Sequence, residues 1–140
     1  MYSYIPDNLY KEIEHYLPIP CVDLLVKRHD KLLLLRRNNE PAQDEWFVPG
    51  GRIFKNEKLK DAAKRVLKEE TGLTAKNLVQ TGAMSHIWPT RHTLSVFYVT
   101  EVEPGEIMLN DEHSEYDWVN KLDGVHPLIV EMATRSRFFR

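Results

Sequence analysis

Residues 51–73 read GRIFKNEKLKDAAKRVLKEETGL, and this stretch decides the fold. A glycine turn at Gly50-Gly51 is followed by a predicted helix over Glu57–Thr71. Leu59, Ala63, Val66 and Leu67 fall near one side of that helix, and Thr71-Gly72 stops it. Glu69 and Glu70 are consecutive, so they splay about 100° apart and can flank one or two cations. Adjacent carboxylates behind a glycine turn suit a hard divalent cation that in turn holds phosphate oxygens. Glu57 sits at the predicted helix start, where its charge favours the dipole. Arg65 stands four residues before Glu69, a spacing that also suits a plain surface ion pair.

Working outward, residues 6–16 begin with a proline and then space Leu9, Ile13 and Leu17 helically, which predicts a short N-terminal helix packed on the body. Cys21–Arg28 and Lys31–Arg36 are two β-prone runs split by His29-Asp30, a hairpin. Trp46–Pro49 is a short strand entering the glycine turn. Residues 76–87 and 92–102 read as two further strands, and Glu115–Val119 as the last. Val125–Arg135 carries Leu128, Ile129 and Met132 at helical spacing, a C-terminal helix. This order predicts an α/β (α+β) fold with a mixed sheet between helices, an α/β/α sandwich. With no internal repeat or linker, residues 1–140 are expected to form one domain, with 1–19 as an N-terminal helical extension.

The 140 residues are 42% apolar and 29% charged with a net charge of −2, so no general basic field is available for nucleic acid and a polyanion must be bound locally. The single Cys21 forms no intrachain disulfide and fits a reducing compartment. No run approaches the ~18 apolar residues of a membrane span, and the chain opens without a signal-peptide pattern. A soluble cytoplasmic protein is the expectation, with no membrane partner.

The string of residues 51–73 resembles the signature of the Nudix hydrolases: glycine, five residues, glutamate, seven residues, then Arg-Glu-aliphatic-x-Glu-Glu-x-Gly-aliphatic. One specified position differs, because the family's first glutamate after the arginine is here Val66. The resemblance implies the Nudix fold and a Mg²⁺ (or Mn²⁺) site made of the Gly50 carbonyl and the carboxylates of Glu69 and Glu70, with Gly51, Glu57 and Arg65 in support.

Residues 36–53, RRNNEPAQDEWFVPGGRI, are more specific. Pro41-Ala42-Gln43 followed by Trp46–Arg52 resembles the GDP-mannose mannosyl hydrolase branch of the family. The same comparison aligns Asp23, Arg37, Arg52, His86 and the tract from Asp111 to Trp118. That branch cleaves the sugar C–O bond, water attacking the anomeric carbon with inversion. By resemblance His113 is the general base, its pKa near neutrality suiting the task. Glu112 stands where the branch has a glutamine metal ligand. Arg37 and Arg52 bind the diphosphate, a task that suits guanidinium. Asp23 stabilises charge at the sugar carbon or holds a sugar hydroxyl. The branch also implies a homodimer.

Two reactions are therefore in view. One is Mg-dependent hydrolysis of a nucleotide sugar, GDP-mannose-like, at the anomeric C–O bond, resting on Asp23, Arg37, Arg52 and His113 together with Val66. The other is standard pyrophosphohydrolysis at phosphorus, resting on the intact Glu57, Arg65, Glu69 and Glu70. The residues leave base and sugar open.

Overall fold

The computed structural model describes residues 4–40 and 42–139; Pro41, part of the tract quoted above, lies outside them. In chain order the elements are α1 (Asp7–Tyr16), β1 (Ile19–Arg28), β2 (Lys31–Arg37), β3 (Trp46–Phe47), β4 (Gly50–Arg52), α2 (Leu59–Thr71), β5 (Ala75–Ile87), β6 (His92–Val102), β7 (His113–Val119) and α3 (Pro127–Arg135). β1 and β2 form the expected hairpin, and its two central residues, His29 and Asp30, both take positive φ, as the twist of a two-residue loop requires. Beyond that turn the strands part. β1 pairs antiparallel with β4 (Cys21↔Arg52, Asp23↔Gly50) and parallel with β6. β2 pairs instead with β3 and β7. The divergence of β1 from β2 opens the crevice in which the site lies. Gly50-Gly51, where the sequence predicts a turn, thus open a strand that runs to Arg52, because β1 supplies an edge for them.

The sheet is mixed and has a core on each face. Val22, Leu24 and Val26 of β1 pack with Ala62, Ala63, Val66 and Leu67 of α2. Leu25 of the same strand packs with Ile129, Met132 and Ala133 of α3. The period of two along β1 therefore puts Asp23 on the α3 side of the sheet. This is the expected α/β/α sandwich. α2 begins at Leu59 rather than Glu57, since Glu57 bends back to accept a hydrogen bond from the Phe54 amide (3.0 Å) and so stays in the preceding loop. α2 ends on Gly72 in the left-handed region (φ 75°), whose amide donates to the Lys68 carbonyl. α1 forms where the sequence predicts a helix, but not all of its predicted apolar residues face the body. Leu9 and Leu17 are 47% and 57% exposed, and Tyr10, Ile13 and Glu14 turn inward. Among the described residues no helix is long and apolar enough to cross a membrane.

Candidate functional site

A cavity of about 380 Å³ opens where β1 leaves β2. Asp23, Arg37, Gly50, Gly51, Arg52 and Glu112, all singled out from the sequence, line it, and so does His86. Glu57, Arg65, Glu69, Glu70 and His113 are not among its lining residues but adjoin them. Two groups of side chains, described in turn below, connect them to it.

The first group is organised by Arg65. Its Nε and Nη2 donate to the two oxygens of Glu57 at 2.7 and 3.0 Å, Nη2 also reaches the Arg52 carbonyl at 2.8 Å, and Nη1 meets Glu69 at 3.1 Å. Its guanidinium also lies 4.0 Å from the Phe54 ring centroid. Burial alone would raise the Glu57 pKa, but hydrogen bonds from Arg65 and the Phe54 amide win and hold it below the usual carboxylate range. Arg65 is therefore more than the surface ion pair its spacing allows: it ties the loop before α2 to the end of β4. Arg52, whose carbonyl it holds, stacks its own guanidinium 4.6 Å from the Phe54 centroid and 5.5 Å from that of Tyr10.

The second group surrounds Glu70. This carboxylate is 4% exposed, and one oxygen accepts the Gly50 amide at 3.0 Å. Burial pushes its pKa well up, helped by the Glu112 carboxyl hydrogen-bonded to it. His113 Nε2 lies 4.0 Å from the same Glu70 oxygen. The imidazole is 5% exposed at the start of β7, not in the polar loop that the DEHSE sequence suggests, and its Nδ1 is buried without a hydrogen-bond partner. The expectation of a pKa near neutrality is overturned. Burial first, then the Arg37 charge, push it down to about 4, against the pull of Glu112.

Asp23 forms the cavity floor. It is 7% exposed, one oxygen accepts a hydrogen bond from the Ser95 hydroxyl, and a Cβ added at Gly50 would strike its carboxylate. Burial raises its pKa to about 6 despite Ser95 and Arg37, which both pull it down. Cys21 lines the same cavity two residues earlier, and burial followed by the Asp23 charge pushes its thiol up to about 12, so it is no nucleophile at neutral pH.

The oxygens near Gly50 fit a hard cation. Glu70 and Glu112 press two carboxyl groups together, an arrangement a divalent charge between them would relieve, and Glu69, 56% exposed, is open to solvent. Among the described residues no three His, Cys, Asp or Glu side chains converge into a ready cage. An open set of oxygen donors suits Mg²⁺, which keeps several waters and shares its ligation with phosphate. Val66, 2% exposed, fills the family's remaining carboxylate position with apolar packing, its methyl groups beneath Gly51.

Tyr10 from α1 and Thr93 from β6 are cavity residues that sequence reading misses, and Trp88 and Arg91 of the β5–β6 turn line the cavity with them. Thr93 and Ser95 carried a signal, since polar residues alternate there with Leu94 and Val96 on a strand. Tyr10 carried none, because only the closing of α1 over that turn brings it near Arg91.

A NUDIX domain model matches residues 18–134. The chain is 33% identical over 134 residues to low-salt glycan biosynthesis protein Agl8 of Haloferax volcanii, covering 89% of this chain and 86% of that protein. It is 31% identical over 111 residues to an ADP-ribose pyrophosphatase of Methanocaldococcus jannaschii, covering 77% of this chain and 66% of the relative. Against a Salmonella NAD-capped RNA hydrolase NudC it is 32% identical but spans 48% of that longer protein. Among solved structures, a MutT NUDIX hydrolase from Burkholderia pseudomallei superposes with a TM-score of 0.76 at 22% identity, over 89% of this chain and 99% of that one. The NUDIX domain of Shewanella oneidensis NrtR, complexed with ADP ribose, does so with 0.73 at 20% identity, over 96% and 92%. With the box of residues 51–73 folded as a strand end, loop and helix against this mixed sheet, and with the family model matching most of its length, the chain belongs to the Nudix hydrolase family.

Proposed function

We propose that this chain hydrolyses a nucleoside diphosphate sugar, GDP-mannose-like, at the anomeric C–O bond, releasing nucleoside diphosphate and free sugar. The observation that carries the reading is Asp23, a carboxylate buried in the floor of the cavity that Arg37 and Arg52 also line. A chemistry confined to phosphorus has no use for a buried anion there, whereas positive charge developing at a sugar carbon does. Val66 supports the same reading, since it removes one carboxylate from the set that would serve attack on phosphorus. The likeness to a glycan biosynthesis protein accords with a sugar nucleotide as substrate.

In this mechanism Arg37 and Arg52 hold the diphosphate and offset its charge as it departs. Mg²⁺ or Mn²⁺, held by the Gly50 carbonyl and the carboxylates of Glu69, Glu70 and Glu112, would supply further positive charge to that leaving group. Asp23 faces the sugar and stabilises positive charge at its anomeric carbon. The oxygen of water bonds to that carbon, the C–O bond to the diphosphate breaks with its electron pair on the departing oxygen, and the water proton passes to His113, neutral at pH 7. Glu57 and Arg65 brace the loop that carries Arg52. One domain, acting as a homodimer in the cytoplasm with neither nucleic acid nor membrane as partner, goes with this reading by resemblance and composition.

A second reading, pyrophosphohydrolysis at phosphorus, is favoured by the complete Glu57–Arg65–Glu69 network and by the relatives named as an ADP-ribose pyrophosphatase and as NAD-capped RNA hydrolases. Incubation with GDP-mannose and Mg²⁺ in ¹⁸O-water, read by mass spectrometry, separates the two. Label in free mannose with unlabelled GDP is expected; GMP and mannose 1-phosphate, one of them labelled, would transfer the reaction to phosphorus.

A further inference from the structure

α1 lies ahead of the matched family domain, which begins at residue 18, yet it supplies part of the cavity wall. It exposes Leu9, and Leu17 just past its end, and turns Tyr10, Ile13 and Glu14 inward, with no fully buried residue of its own. A helix docked for stability alone would bury more of its apolar residues and not face a tyrosine and a carboxylate inward. Its inward groups meet the β5–β6 turn, which a hydrogen bond from the Trp88 amide to the Arg91 carbonyl (2.8 Å) closes tightly. Arg91 Nε stands 3.0 Å from Glu14 Oε2. The two form a buried ion pair, and neither atom has a further hydrogen-bond partner. Tyr10 lies beside this pair, within electrostatic reach of Glu14, Cys21, Arg91 and Arg52.

Tyr10 and Arg91 both line the cavity, and a phenol that donates and accepts beside a guanidinium donor suits a sugar hydroxyl. A phosphate would meet Glu14 as a like charge. The position agrees: Cys21 and Asp23 share one face of β1, roughly 7 Å apart along the strand, so the Tyr10 end lies on the far side of Asp23 from the oxygens at Glu112. We propose that α1 is the glycosyl wall of this site, with Tyr10 and Arg91 contacting the hydroxyls of the substrate's sugar and Glu14 acting as the positioning residue that orients Arg91. The inference rests on a nucleotide sugar as substrate, but not on which bond is cut.

The test compares GDP-mannose with GDP, and ADP-ribose with ADP, on the full chain and on the variants Tyr10→Phe, Glu14→Gln and Glu14→Asp. Tyr10→Phe and Glu14→Gln should raise KM for the sugar nucleotide about fivefold while the Ki of the matching nucleoside diphosphate changes less than about twofold. Their melting temperatures should match that of the wild type, and Glu14→Asp should recover part of the loss. KM and Ki rising together would mean that α1 holds the nucleotide or merely braces the fold, and neither changing would mean that it contacts nothing; each result overturns the proposal. Should the wild type release GMP and mannose 1-phosphate, C–O cleavage falls while the KM and Ki comparison still decides α1. Should it turn over neither substrate, calorimetric Kd values for the same pairs replace KM and Ki, and equal wild-type affinity for sugar nucleotide and nucleoside diphosphate overturns the proposal.

Discussion

Replacing Asp23 by Asn should stabilise the protein while disabling it. The carboxyl is 7% exposed, and burial raises its pKa from an ordinary 3.8 to about 6, with Ser95 and Arg37 offsetting only part of the effect. A folded pKa above the unfolded one means that the charged form is worse off in the native state. At 1.36 kcal/mol per pH unit the burden is about 3 kcal/mol above the folded pKa. It declines as pH falls towards 3.8, where both states become protonated, and is about 1 kcal/mol at pH 4.5. An amide has the same shape, can still accept from the Ser95 hydroxyl, and carries no charge. Urea unfolding in EDTA should therefore show Asp23→Asn more stable than the wild type by up to about 3 kcal/mol at pH 8, shrinking to about 1 kcal/mol at pH 4.5. Turnover of a nucleotide sugar should fall roughly 100-fold. A variant less stable at pH 8, or one whose advantage does not shrink on acidification, would show that the carboxylate is well solvated or fully paired and that the argument from burial is wrong.

His113→Gln should lower kcat by more than about tenfold if this imidazole takes the water proton; a smaller loss favours cleavage at phosphorus. Arg65→Lys loses the geometry that reaches Glu57, Glu69 and the Arg52 carbonyl together, and chemical denaturation should show a loss of about 2 kcal/mol. Gly50→Ala sets a Cβ against the Asp23 carboxylate, with the Val22 carbonyl at 3.1 Å, and should cost about 1–3 kcal/mol in the same assay.

The layers of the fold were legible because each follows from near neighbours in the chain. The β-prone apolar run of Cys21–Arg28 and the apolar stripe of Leu59, Ala63, Val66 and Leu67 are each written within a few residues, and His29-Asp30 breaks the first run where a turn is needed. The misread pieces depend on distant partners. Gly50–Arg52 becomes a strand only because β1 offers an edge, and Glu57 leaves the helix because Arg65 and the Phe54 amide hold its carboxylate. α1 presents Tyr10 and Glu14 inward, rather than Leu9, because Arg91 waits in the turn it covers.

The site divides in the same way. Glycine spacing, the acidic pair and the arginines are written locally, so the sequence by itself determined the family and named the candidate residues. Burial and charge at each of those residues are sums over segments far apart in the chain, and only the tertiary structure decided them. It put His113 beside Glu70 with a pKa of about 4 and Asp23 in a cavity floor with one of about 6. It also brought a helix from outside the family domain against Arg91. Hydrophobic period is a property of neighbours along the chain, whereas desolvation and Coulomb interaction are properties of neighbours in space.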